Sequence, residues 1–129
     1  MKRPWARWMV VAVFVGAIFS ASSISDADVS PPAVPHLDKV MHFGVYFLFA
    51  AAVCWALTGS KVTLSRAVWM AAAAAALYGL SDEFHQSFVA GRTATVGDWL
   101  ADFLGGLCFA LVRLSRASGS TPPDPPKGF

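Results

Sequence analysis

Between Ser81 and Phe103 the chain gathers Asp82, Glu83, His85, Gln86, Arg92, Asp98 and Asp102, which include four of its eight carboxylates. A second, smaller group, Asp38, Lys39 and His42, lies upstream. A carboxylate beside a neutral imidazole can move protons as a general acid or base. An arginine offers phosphate or carboxylate a planar, two-pronged donor. His42, Glu83, Asp98 and Asp102 also make a nitrogen and oxygen set suited to a divalent ion. These groups lie between apolar runs, Val68–Leu80 and Leu100–Val112, and charge in such surroundings is costly to bury unless paired.

What positions them follows from composition. The chain has 129 residues, a length for one domain. It is 56% hydrophobic and 14% charged, against about 25% charged in soluble domains. The apolar residues fall in four blocks: Trp8–Ala21, Asp38–Leu57, Ser65–Gln86 and Thr95–Arg113. The last three are near the length that crosses a bilayer core, and the first is shorter. The expected fold is all-α, an integral membrane bundle of four transmembrane helices. Residues 1–22 form the first helix, with a cleaved signal peptide as the alternative. Residues 23–37 are a Pro-rich outer connector, 38–114 a core of three helices, and 115–129 a disordered cytoplasmic tail. Cys54 and Cys108 sit at different depths in the apolar blocks, so no disulfide is expected.

Basic residues near span ends favour the cytoplasm. With the N-terminus inside and the chain alternating, the inner side takes Lys2, Arg3, Arg7, Lys61, Arg66, Arg113, Arg116 and Lys127, eight of the ten basic residues. Lys39 and Arg92 stay outside with seven of the eight acids and all three histidines. Both termini are then cytoplasmic, and the chemistry-bearing residues are on the outer face.

Helical spacing sorts these residues by face. Asp38 and His42 share one side of the second helix, above Phe49, Ala52 and Ala56. Ala72, Ala75, Gly79, Asp82, Glu83 and Gln86 share a side of the third, opposite Met70, Leu77 and Phe84. Asp98, Asp102 and Gly105 align on the fourth, opposite Leu100, Leu104, Leu107 and Leu111. Small residues let membrane helices approach, and polar residues at membrane depth turn inward. Three helix ends should therefore converge on a polar pocket.

Asp38-Lys39-Val40-Met41-His42-Phe43-Gly44-Val45-Tyr46-Phe47 resembles the DKxxHFxxYxxL signature of the VanZ-like membrane proteins. Glu83-Phe84-His85-Gln86-Ser87-Phe88-Val89-Ala90-Gly91-Arg92, followed by Asp98, Asp102 and Gly105, resembles a second signature of that family. Residues 38–114 are thus identified as a VanZ-like core. At the last acidic position many members carry Asn, so Asp102 adds a charge. The resemblance implies a multi-pass protein of the bacterial cytoplasmic membrane, in a family linked to teicoplanin resistance.

The binding candidates are Asp38, His42, Glu83, Gln86, Arg92, Asp98 and Asp102, with Glu83, His42 and Asp102 the candidates for catalysis. Each has a bland reading beside it. Asp38 suits a helix cap, and Thr95-Val96-Gly97-Asp98 has the form of a capping box. Arg92 can serve only to neutralise the acids, while His85 points away from the pocket. Tyr46, Trp99 and Trp5 fit interfacial aromatic belts. No HxxxH, HExxH or paired-Cys spacing appears, so no metal or cofactor is expected. A net charge of +2 and the lack of a recognition motif exclude nucleic acid. The expected partners are membrane lipids, including a lipid-linked cell-wall intermediate. The leading expectation is a binding pocket for a lipid head group; an acid–base enzyme at the same place stays open.

Overall fold

The computed structural model describes residues 4–25 and 36–120, and these are all-helical. The chain order is α1 (Pro4–Ser22), α2 (Leu37–Gly59), α3 (Leu64–Gln86) and α4 (Val96–Ser118). Pro31, Pro32 and Pro35 of the connector, the acids Asp26 and Asp28, the basic Lys2, Arg3 and Lys127, and the tail from 121 onward lie outside the described residues.

Local chemistry accounts for the bounds. Pro4 suits a first helical position, where its missing N–H has no partner to lose. The run Ala71–Ala76 supplies the strongest helix formers to the middle of α3. Between α2 and α3, Ser60 N–H closes onto Ala56 O and Leu57 O, and Lys61 turns through a left-handed φ of 66°. Helix α4 runs to Ser118, past the expected Arg113. Leu114, Arg116 and Ala117 are good helix formers, so the helix continues past Arg113.

The helices alternate in direction. Near the start of α1, Arg7 donates to Trp55 O near the end of α2 (2.8 Å) and lies over the Trp55 ring. At the opposite end of the bundle, Ser23 meets His85 (3.0 Å), and His42 of α2 meets Asp102 of α4 (2.8 Å). Helix α2 packs most extensively on α4 and then on α3, while α1 leans on the outside of α2 and α3.

Small residues hold the interior and large ones the surface. Ala50, Ala56, Ala67, Ala71, Ala75 and Ala110 are fully buried, whereas Val13, Leu48, Trp69, Leu77, Phe84, Leu104 and Leu111 face outward. A Cβ on Gly105 would strike the Phe43 carbonyl of α2, so the α2–α4 approach requires glycine there.

Two helices, α1 and α2, are long and apolar enough to cross a membrane; α3 and α4 are as long as α2 but carry more polar residues. Four similar spans were expected. The difference arises because α3 and α4 carry the buried acids together with Arg66, Arg113 and Arg116.

Candidate functional site

The polar residues collect at one end of the bundle, where α1 and α3 finish and α2 and α4 begin. Asp82, Glu83, Gln86, Asp98 and Asp102 are all buried there. At the other end, the described charges are Arg7, Lys61, Arg66, Arg113 and Arg116, all basic.

Asp102 is central, at 0% exposure. Its Oδ1 accepts from His42 Nδ1 at 2.8 Å, which fixes the ring and leaves Nε2 for other partners. Gly79 of α3 makes room for this carboxylate: a Cβ there would stand 2.7 Å from Asp102 Oδ2.

On one side of this pair lie Glu83, Thr95, Asp98 and Lys39. Thr95 caps α4, its hydroxyl accepting the Asp98 N–H at 3.1 Å and donating to the Asp98 carboxylate. A capping box would have Asp98 take the Thr95 N–H. Glu83 of α3 takes it instead, at 2.9 Å, so one helix's acid caps the next helix. Asp98 is thereby left for Lys39, whose Nζ reaches Asp98 Oδ1 at 3.1 Å and Asp38 Oδ2 at 2.9 Å. A ring nitrogen of His42 and carboxylate oxygens of Glu83 and Asp98 lie within 4.8 Å of one another.

On the other side is a cavity of about 180 Å³ between α1, α2 and α3. Ser22, His42, Tyr46, Asp82, Gln86 and Arg92 give it polar walls; Ile18, Met41 and Val45 give it apolar ones. Gln86 donates to Asp82 (3.2 Å) and Ser22 (3.3 Å). Gly91, with φ 78°, lets the chain turn so that Arg92 comes back to donate to Ala21 O at 3.1 Å. Tyr46 Oη, Glu83 Oε1 and Asp102 Oδ2 are buried and make no close hydrogen bond among the described residues. A larger hollow of about 690 Å³, outside α3 and α4, is lined mostly by apolar side chains such as Leu77, Leu80, Phe84 and Trp99, and touches the cluster through Glu83 and Thr95.

The sequence candidates are thus distributed as follows. His42, Glu83, Asp98 and Asp102 come together, and Gln86 and Arg92 share the adjoining cavity. Asp38 stands apart, its side chain 59% exposed, in the first turn rather than at the cap, which is His36. Although Asp38 shares a helix face with His42, the carboxylate that meets the imidazole is Asp102, from another helix. His85 turns to α1, stacking obliquely on Phe19 at 4.5 Å. Trp99 is half-buried and donates to Ala76 O at 3.0 Å.

Tyr46 corrects a sequence reading. Expected in an aromatic belt, it is 1% exposed and lines the cavity. Its place one turn below His42 was the available signal, because positions i and i+4 share a face. The contribution of α1 through Ile18, Ala21 and Ser22 had no such signal, since these residues read only as the end of an apolar run.

Comparison with known proteins places this sequence in a family. The VanZ/LLP1 family profile matches residues 3–115. An uncharacterized protein of Schizosaccharomyces pombe is 33% identical over 100 residues, covering 77% of this chain and 59% of its own length. This chain therefore spans well under two thirds of that relative. No solved structure matches. With the profile covering most of its length, the chain belongs to the VanZ/LLP1 family.

Proposed function

We propose that this VanZ/LLP1 protein crosses the membrane four times with both termini cytoplasmic, and that its polar end binds a lipid head group on the extracytoplasmic face. The observation that carries the reading is the Tyr46 hydroxyl, buried with no close hydrogen bond among the described residues, at a cavity of about 180 Å³. An unmade hydrogen bond of this kind costs about 1–3 kcal/mol, a cost that a ligand atom in the cavity would remove. The volume is below the roughly 300–1,000 Å³ of pockets that enclose whole small molecules, so it suits a head group whose chains stay outside. Arg92 would grip the phosphate, with Tyr46, His42 and Gln86 as further polar contacts, while Ile18, Met41 and Val45 would meet the glycerol and upper chains.

Large apolar residues facing outward on all four helices support the membrane setting. The basic end opposite the acidic end supports the orientation. A relative in Schizosaccharomyces pombe favours a head group common to bacterial and fungal membranes over an intermediate confined to a bacterial cell wall.

Native mass spectrometry of the detergent-purified protein tests the reading. The wild type should retain one phospholipid, and Arg92→Ala should lose most of it at unchanged thermal stability. Equal retention by both, or none by the wild type, would contradict it.

The buried Asp102 holding His42 favours a second reading, acid–base catalysis on the bound head group. His42→Ala would then abolish head-group turnover while the lipid is still retained.

A further inference from the structure

We infer that His42, Glu83 and Asp98 form a binding site for a divalent transition-metal ion, with Asp102 orienting the histidine. Three independent features lead to this site.

The first is composition and position. One imidazole and two carboxylates, from α2, α3 and α4, bring ligand atoms within 4.8 Å of one another. A nitrogen and oxygen set of this kind suits zinc or manganese rather than calcium, which takes six or more oxygens. Ligand atoms on one such ion stand about 3–3.5 Å apart, given bonds of about 2.0–2.2 Å, so the set must close by roughly an ångström.

The second is the support around it. A metal-bound histidine usually donates its other ring N–H to a carboxylate, which fixes the tautomer. Asp102 does this at Nδ1, leaving Nε2 for the ion. Glu83 is 93% buried by its 7% exposure, and while Oε2 is held by the Thr95 N–H, Oε1 has no partner.

The third is charge. Asp82, Glu83, Asp98 and Asp102 are four buried carboxylates, and Lys39 and Arg92 are the basic residues beside them. The carboxylates outnumber these two bases, and Lys39 is also shared with Asp38, so a divalent ion would offset the excess. Lys39 holds part of the place now, at 3.1 Å from Asp98. Its second partner, the exposed Asp38 at 2.9 Å, gives it somewhere to go when an ion enters. Lys39 is therefore a built-in competitor for the cation.

This inference does not rest on the head-group reading, although both use His42, and the probe here is the metal alone. Full-length protein in detergent, stripped with chelator, is dialysed against Zn²⁺ or Mn²⁺ and the bound metal counted. The wild type should take up one ion per chain. Glu83→Gln and Asp98→Asn should weaken binding at least tenfold, and Asp102→Asn, which acts through His42, by about 10- to 100-fold. Lys39→Met should do the opposite and tighten binding about tenfold, which loss of structure cannot imitate. Absence of stoichiometric binding by the wild type overturns the inference. So does unchanged affinity in folded Glu83→Gln. Should that variant fail to fold, Lys39→Met decides: tighter binding supports the site, and unchanged or weaker binding overturns it.

Discussion

Tyr46 carries a buried hydroxyl that makes no close hydrogen bond among the described residues, packed on Phe49 and Tyr78 and facing a cavity that His42, Asp82 and Gln86 also line. Replacing it by phenylalanine removes that atom and keeps the ring. If the hydroxyl exists for a ligand, Tyr46→Phe should leave the lipid-free protein as stable as the wild type or about 1 kcal/mol more so, yet weaken lipid retention. Thermal unfolding of delipidated protein alongside native mass spectrometry checks both signs; a fall in both would mark the hydroxyl as structural. At this scale the sequence shows residue types and helix faces but not who meets whom. The spacing of Asp98 and Asp102 reveals their shared face, and that face is buried. It does not reveal that Asp102, not Asp38, sits against His42, because a partner on another helix depends on the relative rotation and offset of two helices.

At the scale of the element, glycines set how closely the helices pack and hence where the acids lie. Gly79 faces Asp102, and an added Cβ would stand 2.7 Å from its Oδ2 and 2.8 Å from its Cβ. Gly44 of α2 has nothing within 4 Å of such a Cβ. Gly79→Ala should therefore cost about 1–3 kcal/mol through overpacking, while Gly44→Ala should be neutral or gain up to about 1 kcal/mol from helix propensity. Thermal melts of the two variants in one detergent make the comparison; equal effects would deny that Gly79 sets the position of Asp102. The small-residue faces of α3 and α4 were legible because small and large residues alternate at helical spacing. The role of α1 was not, although Tyr78 donates to Val15 O at 2.8 Å and Gln86 to Ser22. The polar contacts of α1 around the cavity run through backbone carbonyls and Ser22, which leave little trace in side-chain pattern.

Across the whole molecule the charges divide by end: among the described residues the acids all stand at the His42–Asp102 end, and the opposite end is basic. The sequence made this division readable, since it needs only the order of apolar blocks and charges. The proposed crossing of α3 and α4 is less plain, because these helices carry more charged residues than α1 and α2. The account turns on the acidic end lying outside, at head-group level, with α3 spanning the membrane between the two ends. Lys61 and Thr93, both exposed, flank α3 on its two sides. The direct measurement uses single cysteines at these positions, with Cys54 and Cys108 replaced, in intact cells treated with a membrane-impermeant maleimide. Thr93→Cys should label in intact cells, and Lys61→Cys only after lysis. Labelling of both from the same side, or of Lys61→Cys alone from outside, would contradict the account.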